Sequence, residues 1–205
     1  MKNKNLSILE YSDDQMHCQL RLCYDAGLVD ENLKDKYKQI YKGWYDMHYR
    51  CYSEKLHERY PTYIGCSVCD EWHDFNNFLE WYKENYYEIE GQKMDLDKDI
   101  LVKGNKVYSP DTCIFVPHEI NTIFVNGKKN RGEYPLGVSW DNSRNSFRAE
   151  ARCKKLGRFK TAEQAFAAYK KEKEKQIKEL AKKYKPYIPE KLYDAMVHWK
   201  IEITD

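Results

Sequence analysis

The chain has 205 residues, 41% hydrophobic and 15% aromatic, which is enough for one large or two small cores and too aromatic for a disordered polymer. Its formal net charge is only +2, but Gly127–Lys185 holds 18 Lys and Arg against 7 Asp and Glu, a net of +11, leaving 17 against 26, a net of −9, elsewhere. That asymmetry points to a polyanion site at one end, and no stretch approaches the ~18–20 apolar residues of a membrane span.

Residues 1–42 read as helical and acidic. Ser12-Asp13-Asp14 can cap a helix through Leu20, Leu22 and Tyr24, and Gly27 breaks it. Asp30 or Asn32 can then cap a second helix carrying Leu33, Tyr37, Ile40 and Tyr41. No basic cluster marks a recognition helix, so an ordinary helical hairpin is expected rather than a helix-turn-helix. His17 and Cys18 fall here as structural or surface residues. The acidic face is a candidate surface for a protein partner.

Residues 43–126 hold the densest aromatic region, including Trp44, Tyr49, Trp72, Phe75, Phe78 and Trp81. Phe75, Phe78, Leu79 and Tyr82 share the spacing of one helix face. Lys103-Gly104-Asn105-Lys106 and Tyr108-Ser109-Pro110 are turn residues, Cys113, Phe115 and Val116 a short apolar run, and Ile120, Ile123 and Phe124 the start of a helix.

Gly127–Gly132 is the expected linker to a domain over 127–185. Strand-like runs cover roughly Gly137–Asp141, Ser146–Arg152 and Leu156–Phe159. Thr161 then caps a long Ala-, Glu- and Lys-rich helix that Pro186 and Pro189 end, with Glu172/Gln176 and Lys175/Glu179 spaced to pair on its solvent side. Residues 186–205 form a tail with a short helix on Leu192, Met196 and Trp199. The fold class expected is α+β: a helical N-terminal segment, an aromatic middle domain, and a three-stranded antiparallel sheet plus helix.

Side chains alternate along a strand, so Phe147, Ala149 and Ala151 are expected to face the helix, and Arg148, Glu150 and Arg152 to face outward. With Arg144, Lys154, Lys155 and Arg158 nearby, such a face suits phosphate and base contact. Arg grips guanine bidentately and Glu accepts from cytosine. Double-stranded DNA is the expected partner.

The run Gly137-Val138, Phe147–Arg152 and Leu156–Tyr169 resembles the Apetala/ethylene-response-factor DNA-binding domain. The resemblance implies three strands reading the major groove with the helix behind them, and implies that Arg148, Glu150, Arg152, Lys155 and Arg158 face DNA. The sequence departs from that family in Phe147, where Trp is usual, and in Ser139 and Asp141, where the first strand is usually rich in Arg.

Met47–Tyr52, Val68–Trp72 with Phe75, Phe78 and Trp81, then Leu96–Ile100, Gly104-Asn105, Tyr108–Cys113 and Asn121 are similar to small phage HNH-type (ββα-metal) proteins, which often carry an Apetala-like domain behind. The resemblance implies a phage or prophage setting and a bacterial host cytoplasm. It also implies a general-base His, a divalent metal (Mg or Mn) and an orienting Asn. The His of the usual Asp-His is replaced by Lys98 after Asp97, and the central Asn falls at Thr112. A lysine near ~10.4 is protonated at neutral pH and cannot take a proton. The expected middle domain is therefore degenerate and inactive, with Lys98 free to hold a phosphate. The rival is an active metal-dependent endonuclease in which Asp97, His118 and Asn121 gather the metal.

Cys66, Cys69 and Cys113 are weak zinc candidates, since no second C-x-x-C exists, and His48, Cys51 and His57 are a weaker set. Asp95, Asp97 and Asp99 lack the Gly and Glu of a calcium loop. Seven scattered Cys fit reduced thiols, and the first residues do not read as a secretory signal, so the chain reads as soluble and intracellular.

Overall fold

A computed structural model describes residues 34–124 and 133–205. The helices expected around Ser12–Asp14 and Leu20–Tyr24, the caps at Asp30 or Asn32, and the linker Gly127–Gly132 lie outside the described residues, as does most of the acidic N-terminal surface. The chain is mixed α+β and divides into two compact units. Within the described residues, the first runs to Glu88 and resumes over Leu96–Phe115, and the second comprises Ile89–Asp95 and Val116 onward.

Among the described residues the first unit begins with α1 (Lys34–Tyr52), which crosses the boundary expected at 42/43 without a break. The reason is its apolar stripe. Tyr37, Ile40, Tyr41, Trp44, Met47, His48 and Cys51 recur every three or four residues, and all are buried. Ser53 then caps α2 (Glu54–Arg59), accepting from the Leu56 amide at 3.2 Å. Asp74 caps α3 (Phe75–Asn85) in the same way at 2.8 Å. Phe75, Phe78, Leu79 and Trp81 are its buried face. Trp44 Nε1 donates to the Trp72 carbonyl at 2.6 Å, and the rings of Tyr41, Trp44 and Phe75 pack edge-on or tilted. Two-residue strands β1 (Ser67–Val68) and β3 (Val107–Tyr108) pair in parallel in this unit; β2 (Met94–Asp97) and β4 (Ile114–Pro117), which pair with each other, each have residues in both units.

The second unit contains α4 (His118–Phe124), then β5 (Val138–Asp141), β6 (Ser146–Ala151), β7 (Lys154–Phe159), α5 (Ala162–Tyr184) and α6 (Glu190–His198). The strands form one antiparallel sheet in the order β5-β6-β7. Thr161 caps α5 by accepting from the Gln164 amide at 3.3 Å. Its buried face, including Ala165, Phe166, Tyr169 and Ile177, packs on the sheet, where Ala149 and Ala151 are fully buried. Gly137 makes this close packing possible. Its φ is +73°, and a Cβ there would stand 2.0 Å from the Tyr169 ring. α6 packs on α5, and Ile188, Leu192, Met196 and Ile201 of the expected tail are buried. No helix among the described residues is long and apolar enough to cross a membrane.

Candidate nucleic-acid interface

The two faces of the sheet follow from its register. Ala149 opposes Val138 on β5 and Gly157 on β7, so these three share the helix side. Arg148 opposes Ser139 and Arg158, so these share the solvent side, with Asp141 and Ser146. A bulge between Ala149 and Glu150 shifts the ladder by one: Glu150 opposes Lys155, and Ala151 opposes Lys154. Leu156 is the extra residue, and Gly157, at φ +121°, adjoins it. Lys155 therefore stands on the solvent side beside Glu150, and Lys154 on the helix side, where its ammonium meets Glu172 of α5 at 2.8 Å.

Four of the expected residues thus share one face: Arg148, Glu150, Lys155 and Arg158. Arg144 is exposed in the β5–β6 turn, beside the face. Arg152 differs from its expected outward position. The strand ends at Ala151, and Arg152 has φ +48° in the turn that follows. The turn carries its charge towards Glu119 and Lys173, on the α5 side. Lys154 is likewise off the face, held by Glu172.

Arg148 and Arg158 are direct cross-strand neighbours of like charge, an arrangement that is unfavourable in isolation. Asp141 offsets part of the repulsion, accepting from Arg158 at 3.3 Å through Oδ2 while Oδ1 takes the Ser143 amide and hydroxyl. Burial would raise the Asp141 carboxyl, but the Ser143 hydroxyl first, then Arg158, hold it below its usual range. Arg148 has no carboxylate at ion-pair distance among the described residues. Phe147 lies on the helix side against Trp140 and Tyr134, with ring centroids at 4.7 and 5.3 Å. Ser139 and Asp141 give the first strand no cation on the solvent face.

The expected metal set is divided between the two units. Asp97 lies in the first unit, and its Oδ1 accepts from the Asp99 and Ile100 amides at 2.8 and 2.7 Å, closing a tight turn. Burial, with Asp99 alongside, raises its carboxyl to about 6. His118 and Asn121 lie in the second unit, both on Asp95. His118 Nδ1 donates to Asp95 Oδ2 at 2.5 Å and Asn121 Nδ2 donates to the same oxygen at 3.0 Å. Burial would raise the Asp95 carboxyl, but the bonds from Asn121, His118 and Lys93 outweigh it and leave it low. Sequence reasoning considered Asp95 only for a calcium loop; its position two residues before Asp97 on one strand was the available signal.

Lys98 is not poised for a phosphate. It is 9% exposed, bonded to Asp99 at 2.9 Å and stands over the Tyr108 ring. Burial would lower its ammonium, but Asp99 holds it raised. Thr112, where a catalytic Asn would stand, donates instead to the Val107 carbonyl at 2.9 Å. Cys113 and Cys66 are buried, Cys69 partly so, and all three are free thiols; burial pushes Cys113 up to about 12 and also raises Cys69. Among the described residues no group of three or more His, Cys, Asp or Glu is arranged to hold a metal ion.

No family model matches the chain, and neither does any curated protein or solved structure.

Proposed function

We propose that this protein binds double-stranded DNA through the solvent face of β5-β6-β7. The observation that carries the reading is the Arg148–Arg158 cross-strand pair, with Lys155 and Glu150 one step along the same face. Two arginines at paired positions of a narrow sheet, offset by the Asp141 carboxylate that takes Arg158, leave a surplus of positive charge that a polyanion neutralises. Three strands about 4.8 Å apart span roughly 10 Å, within the ~12 Å major groove. Arg148 and Arg158 then supply forked donors for guanine or phosphate, Glu150 an acceptor for cytosine, and Lys155 a phosphate contact.

The reading extends to kinship. An Apetala-type domain is proposed for residues 127–185, supported by the strand–strand–strand–helix order, the Thr161 cap and the Gly137–Tyr169 packing, all at residues that carry the resemblance. A degenerate HNH-like frame in a phage or prophage setting is proposed for the middle on sequence resemblance. An endonuclease has less support, because Asp97 is spent on its own turn while His118 and Asn121 share Asp95.

A gel-shift titration tests the reading. Arg148→Ala with Arg158→Ala is expected to weaken duplex binding by roughly 30-fold or more, at about 1–3 kcal/mol per lost bidentate contact, with the circular dichroism spectrum unchanged. Arg152→Ala, off the face, is expected to change it by less than about threefold. Unchanged affinity in the double variant rejects the sheet as the interface. Metal-dependent nicking of supercoiled plasmid, lost on Asp97→Ala, favours the endonuclease instead.

A further inference from the structure

The far side of the same unit carries a second, separate set of cations. On α5, Lys171, Lys175, Lys178 and Lys182 follow one another at intervals of four, three and four residues, so they form a single stripe along the helix. At 100° per residue the stripe is centred about 170° from the buried face formed by Ala165, Phe166, Tyr169, Lys173, Ile177, Leu180, Ala181 and Tyr184. It is therefore on the opposite side of the helix from the sheet. Together with Glu174 and Glu179, these lysines line a shallow open groove.

Of the acidic side chains along this length of α5, two are committed away from the stripe and one pairs within it. Glu172 holds Lys154 at 2.8 Å, and Glu174 takes the Ile201 amide at 3.0 Å and Lys170 at 3.8 Å. Glu179 reaches Lys175 at 3.6 Å. Lys171, Lys178 and Lys182 are left with no carboxylate at ion-pair distance among the described residues. From Lys171 to Lys182 the helix rises about 16 Å, the axial length of about five phosphates of one DNA strand. No aromatic residue lies in the stripe to anchor a protein partner, whereas protein hot spots are built on buried Trp, Tyr and Arg. A row of flexible ammonium groups suits a phosphate backbone, which requires charge without shape.

We propose that the lysine stripe of α5 is a second duplex-binding surface, so that one copy of the protein bridges two DNA segments, one on the sheet face and one on the helix. The proposal rests on the sheet reading for its first segment only.

The test uses the full chain, a biotinylated duplex on beads and a second, fluorescent duplex. Wild type is expected to retain the second duplex while sedimenting as a monomer when free of DNA. The variant with Lys171, Lys175, Lys178 and Lys182 all changed to Gln is expected to bind the bead-bound duplex within about twofold of wild type and to lose at least about 10-fold in capture of the second. The all-Arg variant at the same positions is expected to restore it. Glutamine keeps helix propensity, and melting curves confirm the fold. The proposal is overturned if wild type captures no second duplex, or if the Gln variant bridges as well as wild type. It is also overturned if polyglutamate, but not DNA, is retained through these lysines, which indicates an acidic protein partner. The sheet reading fails separately, when Arg148→Ala with Arg158→Ala leaves first-duplex binding intact.

Discussion

The two units treat polar side chains in opposite ways. In the first, Asp97 caps its own turn, Asn105 bonds the Lys98 and Val107 carbonyls, Thr112 bonds Val107, and Lys98 is folded onto Asp99 and the Tyr108 ring. Their hydrogen-bonding capacity goes into shaping loops between short strands. In the second, Arg148 and three lysines of α5 stand on open faces with no carboxylate partner among the described residues. Polar residues near a small irregular sheet are consumed by the fold, because buried backbone and side-chain groups must be satisfied there. Polar residues on a regular sheet or helix are not needed for the fold and remain available to a ligand.

The largest expected effect breaks the scaffold of the open faces without touching them. Gly137→Ala places a methyl group against the Tyr169 ring in a left-handed backbone conformation, and a loss of about 3–5 kcal/mol is expected. Urea unfolding checks it. The substitution is expected to abolish DNA binding by unfolding the sheet, in contrast to the Arg148/Arg158 double variant, which keeps its structure.

A second test concerns the consumed polar groups. His48 is fully buried, its Nδ1 donates to the Trp44 carbonyl at 3.0 Å, and its Nε2 has no partner among the described residues. Burial drives its pKa from 6.5 down to about 4, and His73 lowers it further against the opposing bond to Trp44. Between those values the unfolded chain binds the proton and the folded chain does not, so stability falls as pH drops from 6.5 towards 4. The loss expected between pH 7 and pH 4.5 is about 2–3 kcal/mol. His48→Gln should remove that part of the pH dependence. Equal slopes for variant and wild type in paired denaturation series at the two pH values would count against this account.

The smallest effect separates a turn-forming carboxylate from a chemical one. Asp97→Ala removes the acceptor of two amides and is expected to cost about 1–2 kcal/mol at neutral pH. Asp97→Asn keeps a side-chain oxygen and relieves the repulsion from Asp99, so it should leave the melting temperature within a few degrees of wild type. An asparagine variant as unstable as the alanine one indicates that the charge itself matters.

Much of the second unit was legible in the sequence. Alternation placed Ala149 and Ala151 inside and Arg148 and Glu150 outside, and Thr161 was readable as a cap because its hydroxyl precedes a helix-forming run. Alternation failed at Arg152, where a positive φ ends the strand one residue early. It also failed to separate Lys154 from Lys155, because a bulge is a backbone irregularity with only Gly157 as its local hint. In the middle region the Asp-rich stretch looked like chemistry, although Asp97-Lys98-Asp99-Ile100 is equally a turn sequence. The meeting of Asp95 with His118 and Asn121 spans 23 and 26 residues, a distance over which periodicity carries no information.

The bulge at Ala149/Glu150 has a genetic consequence. In an unbroken ladder continuing from Arg148↔Arg158, Glu150 would meet Leu156 and Ala151 would meet Lys155, giving the outer surface a leucine in place of a lysine. Removing one codon at Leu156 would take out the extra residue and leave Lys155 opposite Glu150 in an unbroken ladder, with the same charge presented outward. For this sheet, a change in length at the bulge therefore leaves the outer face as it is, and related chains are better aligned by which face a residue occupies than by its ordinal position.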